Sequence, residues 1–360
     1  MSDVFAADYR AARQGFRTAA RDAGADVVGH RNPVARGPHG EDLITDVAWL
    51  GPASASNVLV AVSGTHGVEG YCGSACQIAL LTGGLFRTVP ADTAFLLVHA
   101  LNPYGFAFDR RVDEDNVDLN RNFVDHDNPP ANTEYASLHP LLIPADWAGS
   151  ARSAADAALL ATASTRGRRY VQSVVTSGQW THPDGLFYGG TEPAWSHQLL
   201  ADTVRTYLRG RRRIGYLDLH TGLGAWGVGE PIFRGGRDDG AHARARAWYG
   251  PQLSRSEDGT ASSTEITGNT ASLVAGALAG GAELTAITLE FGTLPALDVL
   301  NALRADQWLA LQDTVDNDLR AAIKQQIRNA FYPDDAGWRA VVLARAEAVF
   351  AQAVAGLSEP

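Results

Sequence analysis

Asn57-Val58-Leu59-Val60-Ala61-Val62-Ser63-Gly64-Thr65-His66-Gly67-Val68-Glu69 is the stretch on which the reading of the whole chain turns. Its first six residues are a short, β-branched apolar run, which predicts a buried strand. Ser63, Gly64, Thr65 and Gly67 then form a small-residue loop, and residues 72–82 predict a helix. A strand that turns through small residues into a helix leaves His66 and Glu69 at the carboxyl end of a sheet. Open α/β sheets bind their ligands at that end.

The flanking sequence extends this pattern. Residues 9–25 predict a helix ending at Gly24, and Val27-Val28-Gly29 and Leu43 to Leu50 predict strands, the second alternating like an edge or antiparallel strand. Ala94 to His99 and Ile214 to Leu219 are further strand candidates. Strand, helix and strand in succession predict a single mixed, mostly parallel twisted α/β sheet flanked by helices. Residues 124–150 carry four prolines and predict an irregular excursion. Helices are expected at 151–163, 193–210 and near 240–248. The rest of 226–282 is expected to form loops framing a cleft. Residues 295–330 and 336–356 predict amphipathic helices rich in Ala. No internal repeat is visible. A cut between His66 and His220, which are 154 residues apart (220 − 66), would divide one site between two bodies. The expectation is one domain over 1–360, with an N-terminal helix and strand extension (1–50) and C-terminal helices (295–356).

His220 ends its own strand candidate, so folding can bring it to His66 and Glu69 from far away in the chain. Two imidazoles and a carboxylate are a ligand set used by catalytic zinc, which keeps a fourth position open. H-x-x-E alone also describes an ordinary turn histidine beside a solvated Glu. Other strings bear on the choice: Asn102-Pro103-Tyr104-Gly105, Asp118-Leu119-Asn120-Arg121-Asn122-Phe123, Asp218-Leu219-His220-Thr221 and Leu289-Glu290-Phe291.

In order and combination, these motifs over roughly residues 55–300 resemble the zinc metallocarboxypeptidase superfamily. The H-G-x-E turn and the D-L-H-T string are similar to the branch containing succinylglutamate desuccinylase and aspartoacylase. The nearest likeness is to an uncharacterised bacterial family within that superfamily. The resemblance implies one Zn2+ held by His66, Glu69 and His220. It implies that Asp118 accepts a hydrogen bond from the first ligand histidine, which fixes an imidazole tautomer. Asn120 and Arg121 match the pair that grips a substrate carboxylate, a task suited to the planar guanidinium fork. Arg111, seven residues before Asp118, matches the arginine that steadies the developing oxyanion, with Arg110 as its neighbouring alternative. Glu290 matches the general base, which takes a proton from zinc-bound water and passes it to the leaving nitrogen. Tyr188 and Tyr249 are candidates for a substrate-contacting tyrosine, and residues 181–190 for a pocket-lining loop.

Composition narrows the partners. The chain has 360 residues, 45% hydrophobic, with net charge −10. That acidic balance disfavours nucleic acid and anionic membranes, and the short basic run at 209–213 predicts a solvated helix end. Cys72 and Cys76 lie one helical turn apart, and two cysteines build no disulfide framework at this length. Buried, reduced thiols are expected. The N-terminus shows no signal-peptide pattern and no run reaches membrane-spanning length, so a cytoplasmic enzyme is expected.

The leading expectation is therefore a zinc-dependent hydrolase, of the metallocarboxypeptidase type, that cleaves an amide bond beside a carboxylate in a small peptide. An N-acyl amino acid deacylase is the alternative within the same chemistry. More remote alternatives are a nucleotide-binding protein, since Gly64, Gly67 and Gly70 imitate a dinucleotide loop, and a zinc-binding scaffold without turnover. Whether the chain self-associates is left open.

Overall fold

The computed structural model describes residues 4–278 and 281–359. Eight strands form one sheet: β1 (Asp26–Arg36), β2 (Asp42–Leu50), β3 (Asn57–Val62), β4 (Thr93–His99), β5 (Arg213–Gly222), β6 (Gly229–Phe233), β7 (Ser254–Arg255) and β8 (Glu283–Gly292). Their order across the sheet is β1-β2-β4-β3-β5-β8-β6-β7. The pairs β4/β3, β3/β5, β5/β8 and β6/β7 are parallel; β1/β2, β2/β4 and β6/β8 are antiparallel. The sheet is thus mixed and mostly parallel, as the sequence predicts.

The central strands are covered on both faces, which explains why β3 and β4 are uninterrupted apolar runs. Alternation along β3 sends Leu59 and Ala61 to one face. There they pack with Phe16 of the helix Tyr9–Asp22, Cys72 and Cys76 of Gly70–Gly83, and Phe350 of Ala336–Ser358. Val58, Val60 and Val62 point to the other face, against Leu200 of Trp195–Tyr207 and Val274 of Thr270–Ala277. Each of the larger ones, Val, Leu or Phe, stabilises the fold by about 1.5–3 kcal/mol when fully buried.

Several expectations need correction. The excursion at 124–150 contains the helix Tyr135–Leu142, which tolerates Pro140 inside it. A helix missed by sequence, Arg168–Thr176, follows Ser150–Arg166. The expected helix over 295–330 is two, Ala296–Ala310 and Asn317–Phe331; Asp316 caps the second by accepting the Asp318 and Leu319 N–H groups. Residues 226–282 hold strands β6 and β7 and the helix Thr270–Ala277 as well as loops. Among the described residues, Ala336–Ser358 is long and apolar enough to cross a membrane by length and composition, against the sequence expectation. Here Trp338, Val342, Val349 and Phe350 of that helix are core residues of the fold.

Chain direction positions the site. The chain runs from β3 to β4 on one side, whereas β5 pairs with β3 on the other. The carboxyl ends of β3 and β5 therefore flank a point where strand order reverses, and ligand crevices form at such points.

Candidate metal centre

His66 and Glu69 leave β3 through a tight turn, Gly67–Glu69. A Cβ on Gly67 would lie 1.9 Å from the Gly105 carbonyl carbon, so only glycine lets the turn pack against the helix Pro103–Ala107. Backbone bonds complete the clamp: Gly67 N–H donates to the Arg111 carbonyl (3.1 Å) and Val68 N–H to that of Arg110 (2.8 Å). The glycines that imitate a dinucleotide loop thus include one committed to close packing.

The turn meets β5 at His220. Ligand atoms of His66, Glu69 and His220 lie within 4.8 Å of one another, all buried. Both Nδ1 atoms face the Glu69 carboxylate, His66 on Oε1 and His220 on Oε2, each at 2.8 Å. Each outer nitrogen faces another acid. His66 Nε2 is 3.1 Å from Asp118 Oδ1, and His220 Nε2 is 2.9 Å from Asp218 Oδ2. Asp218 also accepts from the Thr65 and Thr270 hydroxyls, at 2.7 and 2.8 Å. This arrangement fits a divalent ion. Three donors converge on one point, and imidazoles whose outer nitrogens lie on carboxylates are held in the tautomer that leaves Nδ1 free to coordinate.

The buried charges shift one another. Burial opposes ionisation of Glu69 and Asp118, yet both are held below the usual carboxylate range. The cationic neighbours are His66 and His220 for Glu69, and Arg111, Arg121 and His66 for Asp118. Burial would lower His220, but Asp218 and Glu69 override it and push it up to about 10. Glu290 moves the other way. Burial, then the charge of Glu69, raises its carboxyl to about 7. Glu290 stands opposite His220 in the β5/β8 register, and its Oε1 accepts the Leu223 N–H at 2.9 Å.

The two arginines part company. Arg111 reaches the centre: Nε donates to Asp118 Oδ2 (2.9 Å), Nη1 to Glu69 Oε1 (3.3 Å), and Nη2 lies 2.7 Å from His66 Nε2. Arg110 turns away to Asp306 (3.1 Å) and Gln307 (2.7 Å) on the helix Ala296–Ala310. Asn120 sits over the second histidine, with Nδ2 3.2 Å from His220 Nε2 and Oδ1 accepting the Thr270 N–H. Arg121 is buried, and its guanidinium donates to the carbonyls of Asn120 and Thr176.

The candidate tyrosines are not brought to the ligands by their side chains. Tyr188 accepts the Asp118 N–H through its carbonyl, and Tyr249 is buried in the core beside Trp248. Phe187 is the aromatic ring at the site, 5.0 Å from the Arg111 guanidinium carbon and 5.5 Å from that of Arg121. His126 pairs with Asn122 and the His182 ring lies tilted against that of His139, so neither joins the ligand group. Cys72 and Cys76 are free and buried. Sequence reasoning missed the role of Asp218, although a residue two positions before His220 on a strand shares its face.

A family model described as "Protein of unknown function (DUF2817)" matches residues 5–345. No curated protein matches the chain. Similar solved structures include the carboxypeptidase A from Helicoverpa armigera, 14% identical over 95% of this chain and 73% of that one, with a TM-score of 0.45. A succinylglutamate desuccinylase from Silicibacter sp. is 15% identical, covering 85% of this chain and 65% of that one, at a TM-score of 0.39. The murein-tripeptide amidase MpaA from Escherichia coli O157 is 18% identical, covering 80% and 93%, at 0.33.

Proposed function

The chain belongs to this family of unknown function, and from that premise we propose that it is a zinc-dependent hydrolase cleaving an amide bond beside a carboxylate, in the manner of a metallocarboxypeptidase. The observation that carries this reading is the convergence of His66, Glu69 and His220, with the buried Glu290 carboxyl opposite His220 in the strand register. His66 and His220 would hold the ion through Nδ1 and Glu69 through its carboxylate. The ion would supply Lewis acidity toward water and the scissile carbonyl.

The chain's own residues supply the rest. Glu290 accepts a proton from the attacking water and delivers it to the leaving nitrogen. A buried carboxyl held on the same strand-end face as His220 is placed for both halves of that transfer. Arg111 is placed to meet negative charge developing on the carbonyl oxygen. Asp118 and Asp218 orient the two imidazoles. Asn120 and Arg121 hold the substrate carboxylate. Three of the five N–H groups of Arg121 are bonded to carbonyls, which leaves two for a ligand.

Purified protein tests this directly. Metal analysis is expected to find about one zinc per chain. A screen of free peptides and N-acyl amino acids is expected to show hydrolysis that a chelator abolishes, and the preferred group separates peptidase from deacylase. Glu290→Gln is expected to keep the metal and lose about 100- to 10,000-fold in kcat. Protein that takes up no zinc, or a Glu290→Gln variant with unchanged turnover, would contradict the assignment.

A further inference from the structure

Beside the metal centre lies a cavity of about 190 Å3 that the reaction above does not use. Its lining includes Arg234, Ser256, Glu257, Glu265, Gly268 and Asn269. Strand geometry ties it to the site. Thr288 is two residues before Glu290 on β8, so the two share a face; Asp218 and His220 pair with them across β5. The Thr288 hydroxyl accepts from Arg234 Nε at 2.8 Å, which sets this guanidinium on the same face as Glu290. The opposite wall is the segment that holds the substrate grip. A Cβ on Gly268 would lie 2.9 Å from the Arg121 carbonyl oxygen, and Thr270 N–H donates to Asn120. The cavity is thus walled on one side by an arginine tied to the strand of Glu290 and on the other by the segment that packs on Asn120 and Arg121.

Arg234 feels the charges of Glu290, Asp218, Glu257 and Glu230 but, among the described residues, is hydrogen-bonded to none of them. Besides Thr288, the hydrogen-bond partners of Arg234 among the described residues are the Ser256 and Ser263 hydroxyls, at 3.3 and 3.4 Å. Glu257 Oε2 is buried with no hydrogen-bond partner among the described residues. Glu265, the other lining acid, is exposed and already paired with Arg237 at 3.3 Å. A guanidinium and a carboxylate that face one small cavity without bonding each other are costly unless a ligand completes them. A plain anion would satisfy Arg234 and leave its charge against Glu257; a plain cation would do the reverse.

We propose that this cavity is a specificity subsite for a substrate side chain ending in a zwitterionic amino-acid head, with its carboxylate on Arg234 and its ammonium on Glu257. The placement rests on the proposed amide hydrolase, because the subsite is defined by the position of Glu290, Asn120 and Arg121. Recognition of the head itself needs no turnover and can be measured apart from it.

Calorimetric titration of the full chain with norvaline, pentanoate and pentylamine presents both charges, the anion alone and the cation alone on matched carbon chains. Norvaline is expected to bind at least about tenfold more tightly than either single-charge probe. Arg234→Gln is expected to weaken norvaline and pentanoate by about tenfold or more, and Glu257→Gln to reduce norvaline to the level of pentanoate. Arg234→Lys, which keeps the charge without the fork, is expected to fall between and serves if the Gln variant does not fold. The proposal is overturned by pentanoate binding as tightly as norvaline, by norvaline affinity that neither substitution changes, or by norvaline failing to saturate. If norvaline binds as expected but no amide is cleaved, the hydrolase reading fails and the subsite stands. If amides are cleaved without norvaline binding, the reverse holds.

Discussion

The metal centre and the Arg234 cavity lie on the same sheet face and treat charge in opposite ways. At the ligand group the buried ions answer one another. Glu69 lies between two imidazoles, Asp118 between His66 and Arg111, and Asp218 against His220 and two threonine hydroxyls. In the cavity, among the described residues, Arg234 is hydrogen-bonded to hydroxyls alone, and Glu257 leaves an oxygen unbonded. Burying a charge costs several kcal/mol unless it is paired. The centre has met that cost within the chain, so its charges hold geometry. The cavity has not, so its charges are placed for something that arrives later.

The largest effect expected from this difference is on metal. His220→Ala removes one of three converging donors and leaves Glu69 and Asp218 facing a gap. Bound zinc is expected to fall from about one per chain to near zero on dialysis, read by elemental analysis. Arg234→Ala, at the residue that follows β6, is expected to leave the metal content unchanged. Equal loss in both variants would merge the two regions into one.

A smaller effect is expected one bond further out. Asp118→Asn and Asp218→Asn keep size but remove the charge that holds each imidazole proton on Nε2. Zinc affinity is expected to weaken about 10- to 100-fold, measured by competition with a chelator of known strength. Asp218 should show it as clearly as Asp118, since each faces the outer nitrogen of one ligand histidine. An Asp218 variant with unaltered affinity would show that the two histidines are oriented by different means.

The two regions also differ in how far the sequence discloses them. His66, Glu69, Asp118 and His220 are legible because each sits in a short string at a strand end or tight turn. The parallel sheet that unites them follows from apolar runs separated by helices. Arg110 and Arg111 are not separable by sequence, because what decides between them is Asp306 and Gln307, almost two hundred residues away. Arg234 is less legible still. It follows a five-residue strand in a stretch rich in Gly, Ser and Thr, β7 is only two residues long, and neither shows usable periodicity. The cavity is assembled by partners from β8, residues 256–257 and 263–272, none of which forms a string that carries chemistry alone. The helix split at 311–316 escaped for a similar reason: apolar spacing continues across it, and the Asp316 cap is a single residue.

The smallest expected effect tests the comparison most finely. Asp118→Asn removes an acid that is fully buried and bonded to His66 and Arg111, so the Arg111 guanidinium loses its counter-charge and the His66 imidazole its carboxylate. Breaking such a pair costs about 3–5 kcal/mol of folding stability. Glu257→Gln removes a charge whose Oε2 has no hydrogen-bond partner to lose. It is expected to leave stability unchanged or to raise it by about 0.5–1 kcal/mol, as happens when a site shaped for function is relieved. Thermal unfolding of the metal-loaded variants without amino acid reads both changes on one scale. A Glu257→Gln loss as large as that of Asp118→Asn would mean that Glu257 is bonded into the fold, and the cavity would then be closed structure and not an open receptor.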